Sequence, residues 1–394
     1  MRAALVLFEG LPPTVIDSQV LAHVRLVREV LGIDFTVVAV ACSQAVFDSS
    51  KNRLARARDI AGGEVVLMRG MRPALPGSLM VNRLLLGRAL AALGPLAFVQ
   101  ARADYSAAVT GPWARRHGVP MLWDCRGDAR AELADRLGDT LAYRYRAHLQ
   151  EREYGIAGAA CSGALFVTAQ LRDLMARYLT GQPRWVIPCL APEADFFFCP
   201  DLRARVRANL GIAADETVYI YSGSLAAYQC FDETIAAFGA VLASGAPPRL
   251  IVLTPDVERA AKRMARLPAD RIICKAVPHR DVNGYLNAAD VGMLLRDSTP
   301  VNAVAFPTKF AEYAMTGLKV MMKEMPPACV DVARELGNFL PLGASSPEWG
   351  LGERAHCAAQ AAQRLGRRAA LPTYAAVYEH LAGGRAQASK VVRS

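Results

Sequence analysis

Short β-branched apolar segments alternate with longer amphipathic segments along this chain, and the alternation runs through it twice. Such alternation is typical of β/α units, in which parallel strands form a sheet and helices cover both of its faces. In the first series the predicted strands span residues 3–8, 35–41, 64–68, 96–100 and 120–124, with a closing segment at 186–188 and helices such as 18–31 and 105–117. In the second series they span 218–222, 250–253, 272–275, 291–295 and 319–322. The pattern predicts an α/β protein with two doubly wound parallel sheets.

The length of the chain fits two domains. A chain of 394 residues with 53% hydrophobic content exceeds the size at which one core is usual. Residues 188–200 contain three prolines and the run Phe196-Phe197-Phe198, which favours a linker. We therefore expect a first domain at 1–190, a second at 191–371, and a C-terminal segment at 372–394 whose helix, at 372–381, packs back on the first domain.

Cellular location and metal content are predicted from the N-terminus and the cysteines. The N-terminal segment has no long apolar stretch and no small-residue cleavage site, so we expect no signal peptide, no transmembrane helix and a cytoplasmic location. The nine cysteines are scattered, without a C-x-x-C pair or a His/Cys cluster at metal-ligand spacing. They are typical of reduced thiols, and no metal site is expected.

The formal net charge of +10 is compatible with a nucleic acid, an anionic substrate or an anionic membrane surface as partner. The charge alone does not choose among them. Basic residues are spread along the chain, and no zinc finger, RNA-binding aromatic motif or basic tract is present. We therefore do not expect nucleic acid as a partner.

The run Phe306-Pro307-Thr308-Lys309-Phe310-Ala311-Glu312-Tyr313 predicts a helix start that suits a nucleoside diphosphate. Pro307 fits the first helical turn, where free backbone N–H groups and the helix dipole favour an anion. Lys309 adds a positive charge, and Glu312, one turn later, suits the paired hydroxyls of a ribose. The alternative is a surface Lys/Glu pair that stabilises the helix slightly.

Small and charged residues follow several of the predicted strands. In doubly wound sheets, ligands bind at the carboxyl ends of the strands. Candidates at these positions are Gly10, Arg102, Arg126 and Asp128 in the first series and Gly223 and Arg296 in the second.

Several segments resemble one family. They are Ser18-Gln19-Val20-Leu21, Trp123-Asp124-Cys125-Arg126-Gly127, Ile187-Pro188-Cys189, Tyr221-Ser222-Gly223-Ser224-Leu225, Val277-Pro278-His279, Ala288-Ala289-Asp290-Val291-Gly292 and the Pro-Thr-Lys-Phe-Ala-Glu-Tyr run with Gly317 behind it. In this order they resemble the retaining GT-B glycosyltransferases of the large family (group 1, family 4-like) that includes capsule, exopolysaccharide and lipopolysaccharide enzymes. The resemblance implies two Rossmann-like domains facing across a cleft, and transfer of a sugar from a nucleoside-diphosphate donor to a saccharide or lipid-linked acceptor.

The resemblance also implies roles for individual residues. Glu312 would bind the ribose, while Lys309 and the backbone near Gly223 would hold the diphosphate and stabilise its developing charge. Residues 275–278 would line the nucleobase slot. The full set of donor-binding candidates is Gly223, Ser224, Gln229, Val277, His279, Arg296, Asn302, Thr308, Lys309 and Glu312.

The first domain is implied to hold the acceptor. The acceptor-side candidates are Gly10, Gln19, Arg102, Asp124, Arg126 and Asp128, with Arg126 counted with Lys309 and Glu312 as catalytic. An Asp124/Arg126 pair that only orders its loop is the alternative. Enzymes of this kind are expected to need no metal ion and often act at the inner membrane face, where anionic lipids attract a basic surface.

The sequence departs from the family pattern in two places. Val304 stands where many relatives have a first glutamate that contacts the donor sugar, and Ser224 and Gln229 stand where they have an arginine and a lysine. We expect Lys309 and Arg296 to supply the charge instead. Two other functions remain open, a nucleotide-sugar epimerase of the same fold and a non-catalytic two-domain ligand-binding protein.

Overall fold

A computed structural model describes residues 1–13, 15–243, 248–344 and 349–391. The chain forms two compact units. One contains Met1–Pro188 together with the C-terminal helix that begins at Leu371, and the other contains Cys189–Ala370.

The first unit is built on a sheet of seven parallel strands in the order β3-β2-β1-β4-β5-β6-β7. The strands are β1 Arg2–Leu7, β2 Asp34–Ala41, β3 Val65–Arg69, β4 Val99–Arg102, β5 Met121–Cys125, β6 Gly163–Phe166 and β7 Arg184–Val186. The helices are α1 Ala22–Leu31, α2 Gln44–Ala61, α3 Ser78–Ala92, α4 Asp104–Arg116, α5 Ala129–Leu137, α6 Leu141–Ala160 and α7 Ala169–Met175, with a π-helical turn at Asp17–Leu21 directly before α1.

The second unit has six parallel strands in the order β10-β9-β8-β11-β12-β13. They are β8 Val218–Ser222, β9 Arg249–Leu253, β10 Ile272–Lys275, β11 Val291–Met293, β12 Lys319–Met322 and β13 Phe339–Pro341. The helices are α8 Pro200–Asn209, α9 Phe231–Leu242, α10 Val257–Arg263, α11 Val282–Ala288, α12 Pro300–Ala303, α13 Thr308–Met315, α14 Pro327–Glu335 and α15 Leu351–Leu365, and α16 Leu371–Val391 returns to the first unit.

Both sheets have the strand order of a doubly wound Rossmann-like fold. In this order, strands are first added on one side of the first strand and then on its other side, so the order of strand addition reverses beside the first strand. The reversal lies between β1 and β4 in the first unit and between β8 and β11 in the second. A crevice opens at this point because the following helices leave on opposite faces. The predicted α/β class and the two doubly wound sheets are confirmed.

Some strand positions were predicted wrongly. β6 and β13 were missed, because both are short: β6 is buried along its whole length and shows no alternation of apolar and polar residues, and β13 is a three-residue strand at the edge of the sheet. β4 was predicted to begin at residue 96 and begins at Val99, so Arg102 is its last residue rather than a loop residue after it. The apolar residues Leu96 and Phe98 are buried in the approach to the strand instead.

The Ala289-Asp290 motif has a structural role in the second unit. The Asp290 carboxylate accepts hydrogen bonds from Arg203 at 2.6 Å, from Arg207 at 3.3 Å and from the Val218 backbone N–H at 2.8 Å. It thereby fixes α8 to the start of β8. A half-buried carboxylate that bonds to two arginines and a backbone N–H explains the motif without a direct role in ligand binding.

The last helix packs on the first sheet. The Tyr378 ring stacks on Phe98 with centroids 5.1 Å apart, and its hydroxyl donates to Gln100 Oε1 at 3.0 Å and lies 3.0 Å from His23 Nε2. In the described residues, no helix is both long enough and apolar enough to cross a bilayer.

Candidate functional site

Helix α13 begins at the carboxyl edge of the second sheet, one residue later than the sequence suggested. Pro307 was expected in the first helical turn, but its φ of −62° and ψ of 130° make it the residue before the helix. Proline fixes its own φ near this value, which suits both the first turn of a helix and the residue before it. The Phe310 N–H already bonds to the Pro307 carbonyl, so the N–H groups of Thr308 and Lys309 are those left without a helical partner.

Tyr313 and Gly292 hold α13 in place. The Tyr313 hydroxyl accepts a hydrogen bond from the Ser222 N–H at 3.0 Å, which connects the helix to the end of β8. The Tyr313 ring lies on Gly292 of β11, where a Cβ atom would come within 2.5 Å of it. Only glycine allows this approach, so α13 sits directly over the two strands that flank the reversal point.

Lys309 lies in a small cradle beside the end of β8. Its ammonium nitrogen donates to Gln229 Oε1 at 2.7 Å and lies 4.5 Å from the centroid of the Tyr221 ring. A Cβ atom on Gly223 would be 2.8 Å from the same nitrogen. The structure thus brings together three of the predicted donor-side residues, Lys309, Gln229 and Gly223, and adds Tyr221.

Glu312 lies one turn further along α13 and is partly buried. Its carboxylate accepts no hydrogen bond from any residue of the described ranges. Burial raises the pKa of Glu312 to about 7, although the positive charge of Lys309 acts in the opposite direction. Burial, together with the neighbouring Arg296, lowers the pKa of Lys309 to about 7.

Burial is the main cause of both pKa shifts. An ammonium group whose pKa falls by burial gains stability when an anion arrives, and a carboxylate whose pKa rises by burial gains stability when hydroxyl donors arrive. Perturbed pairs of this kind are concentrated in functional sites. The geometry at the start of α13 can therefore accept an anion at Lys309 and a group rich in hydroxyls at Glu312.

Two buried polar atoms follow β11 in the same region. Arg296 donates to the Tyr228 carbonyl at 2.6 Å, but its Nε atom is buried and has no hydrogen-bond partner among the described residues. Asn302 donates to the Asp297 carbonyl at 3.0 Å, and its Oδ1 atom is likewise buried and without a partner. Buried polar atoms left without partners are uncommon and call for a ligand or water. Both residues were predicted to contact the donor.

One cluster of three potential metal ligands, Cys230, Glu233 and Asp297, occurs in the described part of the chain. The Lys323 ammonium lies 2.5 Å from Glu233 and 2.7 Å from Asp297. The hydrogen bond from Lys323 lowers the pKa of Asp297. The Lys323 side chain thus already pairs with both carboxylates, as expected for a structural ion-pair network.

The four remaining donor-side candidates are Thr308, Ser224, Val277 and His279. Thr308 is the first residue of α13, and Ser224 is exposed, with its carbonyl accepting from the Tyr221 hydroxyl at 2.5 Å. Val277 and His279 follow β10 at the sheet edge, two strands away from β8. The His279 ring packs against Phe196 with centroids 5.5 Å apart.

Val304, which stands where many members of the family that the sequence resembles have a first glutamate, is buried. It lies between α12 and α13, in the segment that leads to Pro307. A carboxylate at this buried position would need its own hydrogen-bond donors to offset the loss of hydration.

The carboxyl edge of the first sheet carries a second polar group. The Arg102 Nε atom lies 3.4 Å from Glu9 Oε1, so the ends of β4 and β1 are joined by an ion pair. The buried Asp124 carboxylate accepts from Gln100 at 3.0 Å and from Arg126 at 3.3 Å. Through Gln100 this network reaches the Tyr378 hydroxyl on α16.

Two acceptor-side candidates have structural explanations. A Cβ atom on Gly10, whose φ is +67°, would lie 2.5 Å from Val46 Cγ1, so the position requires glycine. Asp128 caps α5 by accepting from the Arg130 and Ala131 N–H groups, and it also accepts from the Tyr154 hydroxyl at 3.1 Å. The remaining acceptor-side candidate, Gln19, is half-buried in the π-helical turn before α1.

Sequence reasoning missed Tyr221 and Ala103. Tyr221 is an ordinary strand residue by pattern, and only the tertiary fold places its ring beside Lys309. Ala103, directly after Arg102, has a φ of 64° and a ψ of 167°, a conformation that is nearly confined to glycine. No sequence signal marks this strain, because an alanine after a strand predicts nothing unusual.

No protein-family profile and no curated protein sequence matches the chain. Solved structures do match. Sucrose-phosphate synthase from Thermosynechococcus elongatus superposes with a TM-score of 0.69 at 14% identity, covering 96% of this chain and 98% of that one. HepE from Anabaena, in complex with UDP, gives 0.69 at 11% identity, covering 96% and 99%. A UDP-N-acetylglucosamine 2-epimerase homologue from Listeria monocytogenes gives 0.57 at 14% identity, covering 96% of each chain.

These similarities extend over nearly the whole chain at identities of 14% or less, which establishes the fold and no more. The sheets of seven and six parallel strands with flanking helices match those of GT-B glycosyltransferases. The chain therefore has the GT-B fold.

Proposed function

We propose that the protein is a retaining glycosyltransferase that uses a nucleoside-diphosphate sugar as donor. The observation that carries this proposal is the start of α13, where the partly buried Lys309 and Glu312 lie beside the reversal point of a Rossmann-like sheet. Neither forms an ion pair with any described residue. Structural neighbours with UDP and with UDP-glucose bound support the same class of donor.

In the proposed complex, Lys309 and the free N–H groups of α13 bind the diphosphate. They stabilise the negative charge that grows on it as the glycosidic bond breaks. Glu312 accepts hydrogen bonds from the ribose hydroxyls. Arg296 and Asn302 offer their unsatisfied Nε and Oδ1 atoms to the donor, with Thr308, Ser224, Val277 and His279 as further donor contacts.

In the proposed reaction the acceptor attacks from the face that the leaving group occupies, which retains the anomeric configuration. The departing diphosphate then takes the proton of the acceptor hydroxyl, so no separate general base is needed. Lys309 and Arg296 supply the positive charge that a divalent cation would otherwise supply, which supports a metal-independent reaction.

The acceptor is proposed to be a saccharide or a lipid-linked saccharide held by the first domain. Arg126, fixed by Asp124, is the candidate there for contact with the acceptor or the donor phosphate, together with Arg102, Gln19, Gly10 and Asp128. The net charge of +10 favours a location at the cytoplasmic face of an anionic membrane, in surface-polysaccharide assembly.

A nucleotide-sugar epimerase is the second candidate, because an epimerase homologue is among the structural neighbours. Such an enzyme needs acids or bases at the donor sugar to remove and return a proton. Epimerisation of a free nucleotide sugar without any acceptor would favour this alternative.

A thermal-shift screen with UDP, GDP, ADP, CMP and dTDP tests the proposal directly. One diphosphate should raise the melting temperature, because a ligand that binds only the folded state stabilises it. The Lys309→Ala variant should lose this shift. If no nucleotide shifts the wild-type protein, the donor assignment is wrong.

A further inference from the structure

Helix α3 and the loop before it expose apolar side chains that the proposed reaction does not use. Met80 is 74% exposed and Leu84, one turn later, 57%, while Leu75 protrudes from the loop. The opposite side of the helix packs its residues Asn82, Leu86 and Leu90 into the domain. A helix that is apolar on both its buried and its exposed face is expected to have a second apolar environment.

The first turn of α6 extends this surface. Leu141 is 83% exposed, and the Tyr145 hydroxyl donates to the Ala74 carbonyl at 3.4 Å, which places the start of α6 beside the loop before α3. We call the group formed by Arg72, Leu75, Met80, Leu84, Arg88 and Leu141 the α3 surface.

The chain segment that carries α3 has charges of one sign, and the acidic Asp139 beside Leu141 is paired with Arg144 at 3.1 Å. Residues 65–103 contain five arginines and not a single aspartate or glutamate. Arg72 and Arg88 are exposed and form no ion pair with any residue in the described ranges. Arg83, between them, donates to the Ala108 carbonyl at 3.1 Å and keeps its charge uncompensated as well. The surface therefore complements a partner that is both negatively charged and apolar.

The loop before α3 is held in a defined conformation. Asn82 accepts from the Met71 N–H at 2.8 Å and donates to the Met71 carbonyl at 2.8 Å. Ser78 Oγ donates to the Pro73 carbonyl at 2.6 Å. Leu75 is consequently presented without the entropy cost of ordering a loop on binding.

We propose that the α3 surface docks the first domain on an anionic lipid membrane. Leu75, Met80, Leu84 and Leu141 enter the boundary between headgroups and acyl chains, and Arg72 and Arg88 bind lipid phosphates. Protruding aliphatic side chains on a convex helix need no preformed cavity in their partner, which a fluid bilayer does not have and a folded protein would have to supply.

The position of the α3 surface fits a lipid-linked acceptor. The first turns of α3 and α6 lie at the carboxyl edge of the first sheet, the edge that also carries Arg102 and Arg126. Docking here would bring this edge to the membrane. The purpose of docking rests on the proposed function, whereas its measurement requires neither a donor nor an acceptor.

Vesicle flotation of the full chain tests the proposal, with phosphatidylcholine vesicles and with vesicles that also contain phosphatidylglycerol. The wild-type protein should bind the anionic vesicles preferentially and lose binding at high salt. The combined variant Leu75→Ser, Met80→Ser, Leu84→Ser should bind at least about tenfold more weakly. Its control replaces apolar residues that are exposed elsewhere, Val30→Ser with Leu351→Ser, and should bind as the wild type does.

A second pair of variants separates the charge contribution. Arg72→Ala with Arg88→Ala should weaken binding to anionic vesicles by about fivefold for each arginine, and Arg56→Ala with Arg116→Ala should weaken it less. All variants should keep the thermal shift with the nucleotide that stabilises the wild type, which distinguishes this proposal from the donor assignment.

Three outcomes would overturn the docking proposal. The first is equal binding of the wild type to both kinds of vesicle, or binding to neither. The second is a serine variant that binds as its control does. The third is a wild-type dimer in light scattering that the serine variant converts to a monomer, since the α3 surface would then be an interface between two copies of the chain.

Discussion

The Lys309 ammonium group donates a 2.7 Å hydrogen bond to Gln229 Oε1, which is a neutral acceptor. In the family that this sequence resembles, many members carry a cation at the position of Gln229. No carboxylate in the described ranges forms an ion pair with Lys309. A neutral partner holds the ammonium in place without cancelling its charge, so an arriving anion meets a positioned cation.

The replacement Gln229→Glu tests this relationship. A carboxylate 2.7 Å from the ammonium would pair with Lys309 and would repel a diphosphate at the same time. We expect affinity for the nucleoside diphosphate to fall at least about tenfold, a loss of roughly 1.4 kcal/mol. Gln229→Ala, which removes the hydrogen bond without adding charge, is the control and should lose less. Equal losses in calorimetric titrations would show that charge at this position is unimportant.

Loss of either Lys309 or Glu312 should remove most activity. Lys309→Ala and Glu312→Ala are each expected to reduce sugar transfer by about 100-fold or more, because each removes an interaction with the developing charge or with the donor that positions it. Circular dichroism should show an unchanged fold. Glu258→Ala and Lys262→Ala, on the exposed face of α10, provide matched controls. Unchanged turnover in both site variants would remove the proposed roles.

Donor affinity should depend on pH with a maximum near neutrality. Lys309 has a pKa of about 7 in the free protein, so above that pH the anionic donor must bind together with a proton, and affinity falls by up to tenfold per pH unit. Glu312 also has a pKa of about 7, so below that pH its carboxylate must first lose a proton. A nucleotide sugar is the suitable ligand, since it lacks a terminal phosphate that titrates in this range.

Glu312→Gln should abolish the acidic side of this profile and leave the alkaline side. Isothermal titration calorimetry across the pH range measures both. If affinity declines equally at alkaline pH in the Lys309→Ala variant, a group other than Lys309 causes the decline.

The site should reduce the stability of the fold in the absence of ligand. The pKa of Lys309 is about 7 in the folded protein against an ordinary value of 10.5, so its destabilising effect is full below pH 7 and is lost as the pH rises through 10.5. The pKa of Glu312 is about 7 against 4.5, so its effect is absent below pH 4.5 and full above pH 7. Both effects are substantial at neutral pH.

We therefore expect the double variant Lys309→Met, Glu312→Gln to melt at a higher temperature than the wild type at pH 7, by differential scanning calorimetry. Such a trade of stability for function is common in binding sites. A lower melting temperature would mean that the two side chains stabilise each other more than burial destabilises them.

The start of α13 was predictable from sequence because its signals are local. Pro307, Lys309 and Glu312 lie within one segment, and a helix places the last two on one face whatever surrounds them. The contact of Lys309 with Gln229 and Tyr221 was not predictable, because it joins segments that only the sheet order brings together.

The same distinction explains the errors in the fold. β1 and β8 can be predicted from their continuous apolar runs of five and four residues, whereas β6 and β13 are only four and three residues long and owe their conformation to the neighbouring strands. The strain at Ala103 likewise belongs to the folded chain. Many members of the family that the sequence resembles have a glutamate where this chain has Val304, a difference that the sequence alone reveals. In the structure, Val304 is buried.

The most direct test of the central claim is a calorimetric comparison of a nucleoside diphosphate with the matching monophosphate, in the wild type and in Lys309→Ala. If α13 and Lys309 bind the terminal phosphate, the wild type should prefer the diphosphate by at least about tenfold, and the variant should lose that preference while retaining its affinity for the monophosphate. A preference for the diphosphate that is the same in both proteins would contradict the account.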